Sequence, residues 1–365
     1  MAATFSGIGL SRFAYVPLFP AMVAAGWING AEGGFLGALN FAGYLGGVLG
    51  GRSVARRTGT PAALDAGMCL AALAFAACAV DLGAAWLGVW RFVAGVAGGV
   101  LMALAGPAVQ GAVEPSRRGI AGGIVISGVG IGIVAASVAI PPTLTFGISA
   151  VWLCLALIVA VLWFAVRPSW PRTPVAAPPA VPARSAVLQT AYGISGAGIV
   201  PHMVYFADLA VRGHGLSPVA GSALWLVFGS GALAGTLLAG RLADRLGAGP
   251  ALRVWLAVQV VALAASLSGH PALLAASGFL GGFSALGLTT IALARARELA
   301  GPAAGGVWVK ATAAYAVAQA ATSLVLAALF ARTETHAHIF LVGLGLSVAA
   351  LLVSLGGADR ASSDG

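Results

Sequence analysis

The sequence predicts an all-α membrane protein with twelve transmembrane helices in two six-helix, pseudo-symmetric bundles. Three observations carry that expectation. The chain has 365 residues, 60% of them hydrophobic and only 8% charged, with a mean hydropathy of +0.99. A soluble domain is nearer ~45–50% apolar and about a quarter charged, so this chain has too much apolar surface for one water-facing core. Apolar runs of spanning length, roughly 20 residues, recur between Gly, Pro and charge clusters. Finally, the arginines fall on alternate connections.

In order, the spans read 4–26, 30–51, 62–83, 85–112, 119–140, 146–166, 187–211, 217–239, 251–268, 272–294, 304–330 and 337–356. The third and fourth spans, and the ninth and tenth, are joined by only a few residues. The first run is long, carries Arg12 inside it and has no basic segment before it, so it reads as a span and not as a cleaved signal. Of 19 Lys and Arg, those on one set of connections are Arg52, Arg56, Arg57, Arg117, Arg118, Arg167, Arg172, Arg184, Arg241, Arg245, Arg253, Arg295 and Arg297, with Arg360 in the tail. The other set holds Arg212 and Arg332. This is the positive-inside bias. It predicts a multi-pass membrane protein with both termini in the cytoplasm. It also accounts for the formal net charge of +9 without a nucleic-acid partner.

Residues 167–186 are Pro-rich and basic, with Pro178, Pro179 and Pro182, and lack apolar periodicity. They read as an extended cytoplasmic linker between an N-terminal bundle, 1–166, and a C-terminal bundle, 187–356. Residues 357–365 form a tail. Each half has a polar hairpin between its second and third spans, Gly51–Gly59 and Gly240–Gly247. Both are basic. Matched from their first glycines, Ala55 stands where the second has Asp244. Small residues recur every four positions (Gly43, Gly47, Gly51; Gly95, Gly99; Gly128, Gly132, Ala136; Gly231, Gly235), as close helix packing requires. Cys69, Cys78 and Cys154 sit in apolar runs without disulfide or metal spacing.

The run Gly240-Arg241-Leu242-Ala243-Asp244-Arg245-Leu246-Gly247 resembles the loop motif of major facilitator superfamily transporters. Arg91-Phe92-Val93-Ala94-Gly95 is similar to the Arg-x-x-x-Gly pattern of that superfamily's fourth helix. Ser11-Arg12-Phe13-Ala14-Tyr15-Val16-Pro17 and Asn40-Phe41-Ala42-Gly43-Tyr44 resemble the YbfB/YjiJ-like branch of predicted bacterial inner-membrane permeases. The resemblance implies the major facilitator fold. It also implies a cytoplasmic gate at Gly240, Arg241, Asp244, Arg245 and Gly247, in which the aspartate closes one side of the transporter. The fifth span lacks the Gly-Pro pair of the antiporter pattern.

A charge inside hydrocarbon costs at least ~2.5 kcal/mol at a helix centre and so needs a reason. Arg12 lies near the middle of the first span and shares a helix face with Tyr15. Pro17 and Pro20 follow and free backbone carbonyls there. Arg12 reads as the contact for an anionic group. Asn40, Tyr44, Arg91, His202, Lys310, Tyr315 and Gln319 complete the expected substrate pathway, and Thr312 shares the face of Tyr315 and Gln319. Arg91, His202 and Asp208 are the candidates for proton coupling, because histidine titrates near neutrality. The bland alternatives are interhelical hydrogen bonds, snorkelling for Lys310 and a solvated helix end for Asp208. His336 and His338 alone do not make a metal site.

These residues point to a secondary transporter working by alternating access on a small organic solute, with an anionic, proton-coupled substrate favoured. The alternatives are an efflux permease for neutral or drug-like solutes, or a non-transporting membrane sensor. There is no phosphate-binding loop of the Gly-x4-Gly-Lys type, no catalytic constellation and no cofactor motif, so an enzyme is not expected. The expected partners are the small-molecule substrate, the lipid bilayer and protons, and the expected state is a monomer.

Overall fold

A computed structural model describes residues 1–114, 118–172, 185–301 and 304–363. Most of the 167–186 linker, including Pro178, Pro179, Pro182 and Arg184, lies outside the described residues, as does Arg117. What is described is helix with short turns. We label the helical stretches α1 (Ala2–Ala24), α2 (Gly30–Thr58), α3 (Thr60–Cys78), α4 (Ala84–Ala112), α5 (Arg118–Leu144), α6 (Ile148–Val166), α7 (Ala186–Gly213), α8 (Pro218–Leu246), α9 (Ala248–Ser266), α10 (Pro271–Ala300), α11 (Ala304–Thr333) and α12 (His336–Ser363). Among the described residues, eleven of these are long and apolar enough to cross a membrane. The exception is α2, a 29-residue helix whose apolarity is diluted by glycine, Glu32, Asn40 and three arginines.

The hairpins differ from their expected form. Gly51–Thr58 and Gly240–Leu246 are not loops. Each is the last turns of a helix, and the chain reverses at one glycine. Gly59 has φ 89° and ψ 151°; Gly247 has φ 84° and ψ 152°. That left-handed region is open to glycine and strained for other residues. Each glycine N–H bonds back four residues, Gly59 to Ala55 O and Gly247 to Ala243 O, both at 2.9 Å. This shared turn moves the register by one. Ala55 corresponds to Ala243, both buried, and Arg56 stands opposite Asp244.

The same offset of 188 positions recurs in the packing. Gly43 and Gly47 lie so close to the Phe92 and Val96 carbonyls of α4 that a Cβ would collide with them. Gly231 and Gly235 lie equally close to the Phe279 and Phe283 carbonyls of α10. The small-residue stripes are thus backbone contacts between helices.

The chain forms two compact units. One is Met1–Ala176 with Val204–Leu226 and Ser323–Glu334. The other is Ala177–Met203 with Val227–Thr322 and Thr335–Gly365. In the first, α2 packs on α4, α3 on α6, and the start of α1 on α5. In the second, α9 packs on α10 and α12, and α12 on α7. The core of the second unit gathers Tyr192, Leu252, Trp255, Leu288 and Ile291.

Candidate functional site

The first unit holds a broken helix. In α1, Ala2–Thr4 is α-helical, Phe5–Leu10 is π-helical, Ser11–Ala14 is an open turn, and Tyr15–Ala24 is α-helical again. The backbone explains the break. Ser11 N reaches Ser6 O and Phe13 N reaches Ile8 O, the five-residue spacing of a π turn. Pro17 has no N–H, so the Phe13 carbonyl loses its regular donor. Other helices supply side chains instead. Trp225 Nε1, on α8, donates to Phe13 O at 3.0 Å. Arg91, on α4, donates from Nη1 to Ser11 O at 2.7 Å. Asn40 Nδ2 reaches Ser11 O at 3.3 Å and Arg91 O at 3.1 Å.

Arg12 lies between these two held carbonyls. It is buried, and its guanidinium carbon stands 4.3 Å from the Phe41 ring centre and 4.1 Å from that of Tyr44. Aromatic faces attract a cation through their quadrupole. Arg91 is 2% exposed and stacks 4.4 Å from the Tyr15 ring centre. It forms no ion pair with a carboxylate among the described residues, and its Nε has no hydrogen bond there. Arg12 and Arg91 are thus both buried, each against aromatic rings of this unit. The fold therefore brings Arg12, Tyr15, Asn40, Tyr44 and Arg91 together. Tyr15 is held by its hydroxyl, which donates to Gly33 O at 2.8 Å.

At the far end of this unit, Asp208 is fully buried and binds Arg212 through two contacts of 2.5 Å, Nε to Oδ1 and Nη2 to Oδ2. Arg212 also faces the rings of Phe19, at 5.5 Å, and Phe330, at 5.7 Å. Helix α2 receives this cluster on four glycines. Gly30 lies against the Arg212 guanidinium, Gly33 against Phe19, Gly34 against the Tyr205 hydroxyl and Gly37 against Val204, each too close for a Cβ. The sequence offered Asp208 as a proton carrier or a solvated end; the structure places it in a buried ion pair.

The second unit holds the remaining residues. His202 Nε2 lies 2.9 Å from Ser277 Oγ, and Ser277 Oγ donates to Ala262 O at 2.8 Å. The hydroxyl proton is thereby used, so Ser277 accepts from His202 and the imidazole carries its proton on Nε2. Phe228 and Phe340 flank the ring. His202 and Asp208 thus bond to separate partners. Tyr315 stacks on Tyr192 at 4.5 Å, and Gln319 Nε2 reaches Met203 Sδ at 3.1 Å. Lys310 is exposed. At about 100° per residue it points away from the face shared by Thr312, Tyr315 and Gln319.

The gate residues Gly240, Arg241, Asp244 and Arg245 ride the end of α8, and Gly247 makes the turn. Asp244 is exposed and makes no ion pair among the described residues. Glu298, on α10, closes this corner. Its Oε1 accepts from Ala248 N at 2.6 Å, and its Oε2 pairs with Arg295 at 2.8 Å. Sequence reasoning missed Glu298, Asp65 and Trp225. Asp65 Oδ1 accepts from the Trp163 and Trp170 indoles at 2.7 and 2.9 Å, and Oδ2 faces Arg167 at 3.4 Å. A lone acid inside a predicted span was a visible signal for Asp65. Trp225 gave none. No group of three or more His, Cys, Asp or Glu side chains is placed to hold a metal among the described residues.

Eleven long apolar helices among the described residues mark a multi-pass membrane protein. Residues 4–355 match the family described as uncharacterised MFS-type transporter YbfB, and the chain belongs to that family of major facilitator transporters. No curated protein matches the chain.

Proposed function

We propose that this protein is a secondary active transporter that moves a small organic anion, coupled to protons, by alternating access. The observation that carries this reading is Arg12. It is a buried guanidinium at a helix break, boxed by two aromatic rings and placed beside a second buried arginine. Transporter helices that unwind near mid-membrane line the substrate path and bind charged groups there. Two arginines in one apolar neighbourhood favour an anion, because a negative charge relieves their mutual repulsion.

In this reading α2 is the twelfth span, and α1–α6 and α7–α12 form the two halves. The repeated glycine contacts and the twin turns at Gly59 and Gly247 support that division. The arginine bias places the hairpins, the linker and both termini in the cytoplasm of a bacterial cell, with the chain a monomer in the inner membrane. Asp208 is the proton acceptor we favour, since it is the buried carboxylate among the described residues. His202 serves packing. The Arg212 cluster closes the outer end, and Asp244 engages its partners in the opposite state.

Counterflow in proteoliposomes tests the reading. Vesicles loaded with an unlabelled carboxylate that stabilises the purified protein should accumulate the labelled form transiently. Binding without exchange would instead identify a sensor.

A further inference from the structure

We propose that Trp225 is a positioning residue for Arg12, holding the α1 break in the shape that presents the guanidinium. This rests on the reading of Arg12 as the anion contact. The argument begins with Pro17. A residue with an N–H at position 17 would donate to Phe13 O and continue the helix through this region. Proline cannot, so the carbonyl next to Arg12 is left with a strained, short-range donor, Val16 N at 3.3 Å. A poorly satisfied carbonyl in a buried site is costly. The Trp225 indole N–H meets it at 3.0 Å.

Trp225 is built for that contact. It is fully buried, and its ring packs 5.9 Å from the Phe13 ring, tilted by 52°. Indole is the one ring whose N–H donates and never accepts, so it cannot satisfy anything but an acceptor such as this carbonyl. On the other side of Arg12, Ser11 O is held by Arg91 and Asn40. The break is therefore pinned at both flanks of the functional residue, from α4 and α2 on one side and from α8 on the other. The tie from α8 is made by the indole N–H of Trp225. Loss of that bond lets residues 11–14 relax and turns Arg12 out of its aromatic box.

The test uses phenylglyoxal, which modifies accessible arginines, on the full-length protein, with modification of Arg12 quantified by mass spectrometry. Trp225→Phe keeps the ring and removes the N–H. It should raise the Arg12 modification rate about fivefold, the factor that a hydrogen bond of typical net strength is worth. Pro17→Ala in the same chain restores a backbone donor to Phe13 O and should return the rate to near the wild-type value. An unchanged rate in Trp225→Phe overturns the proposal. A rise that Pro17→Ala does not reverse also overturns it, since packing alone would then be responsible. Should Trp225→Phe fail to fold, hydrogen exchange of the wild-type indoles decides. The Trp225 N–H should exchange far more slowly than that of a tryptophan at a helix end, and equal rates overturn the bond. Protection of wild-type Arg12 by sodium benzoate is a separate arm. Its absence removes the anion reading, while the Trp225 comparison, run without benzoate, still stands or falls by itself.

Discussion

Helices α1 and α7 break in related ways, but the two breaks hold different chemistry. Each has a proline just beyond the irregular turn, Pro17 in one and Pro201 in the other, and each contains a π-helical stretch. In both, a freed or shared carbonyl is taken by a side chain from another helix. In α7, Ser195 O accepts from Ile199 N at 3.1 Å and from Gln259 Nε2 at 2.9 Å, and the same amide reaches Ser347 Oγ at 2.8 Å. That amide is neutral, and His202 on the same helix is tied to Ser277. At the α1 break one of the three side chains is an arginine, Arg91, beside the neutral Asn40 and Trp225, and Arg12 stands within the break itself. In the proposed reading the anion contact lies at the α1 break, while α7 carries the buried Asp208–Arg212 pair beyond its own break.

Substitutions at the two breaks can sharpen or dissolve that contrast. The largest effect belongs to Asp208→Asn, which leaves Arg212 without its carboxylate. Removing one member of a buried pair costs about 3 kcal/mol at the lower end of the usual range, and Arg212 keeps 29% of its side-chain exposure, so the lower end applies. Thermal unfolding in detergent should fall markedly, and proton-driven uptake should be lost while carboxylate binding persists. Next is Arg91→Met, which removes a charged hydrogen bond to Ser11 O and should cost ~2 kcal/mol together with most carboxylate binding. Gln259→Leu, the matching change at the α7 break, should cost only ~1 kcal/mol and leave binding intact. Equal losses of binding from these two would erase the proposed difference.

Smaller effects test the residues we place outside the anion site. His202→Gln keeps a donor for Ser277, so uptake driven by a pH gradient should continue; its loss would return the proton relay to His202. Asp244→Asn changes an exposed group and should leave stability within ~0.5 kcal/mol. Turnover should drop with little change in affinity. Loss of the folded protein would show that Asp244 holds the structure together and does not serve a gate.

How much of this could be read from the chain follows from what each feature depends on. Apolar runs and arginine placement report on lipid and headgroups, which act on every residue of a span, so the helix starts emerge from the sequence close to those observed, while α2, α8, α10 and α12 run six or seven residues beyond their expected ends. Arg12, Tyr15, Asn40, Tyr44 and Arg91 also stood out one by one, because charges and hydrogen-bonding groups are rare in such a chain. The hairpin register was not. Matching from the first glycine places Ala55 against Asp244, whereas the turn is set by the last glycine, the one with positive φ, which pairs Asp244 with Arg56. The Trp225 bond was hidden for a different reason: it joins residues 212 positions apart, and nothing local to tryptophan announces a carbonyl that needs a donor. Lys310 reads as an intramembrane charge, and only its placement on the exposed face of α11 separates it from Tyr315 and Gln319.

The most direct measurement is the thermal stability of purified protein across a panel of small carboxylates, wild type beside Arg12→Ala. The account predicts that at least one acid raises the unfolding temperature of the wild type and that the same acid leaves Arg12→Ala unmoved, a loss of at least tenfold in affinity for a charge-assisted contact of ~1.5–3 kcal/mol. An acid that stabilises both proteins equally, or a panel that stabilises neither, would contradict it.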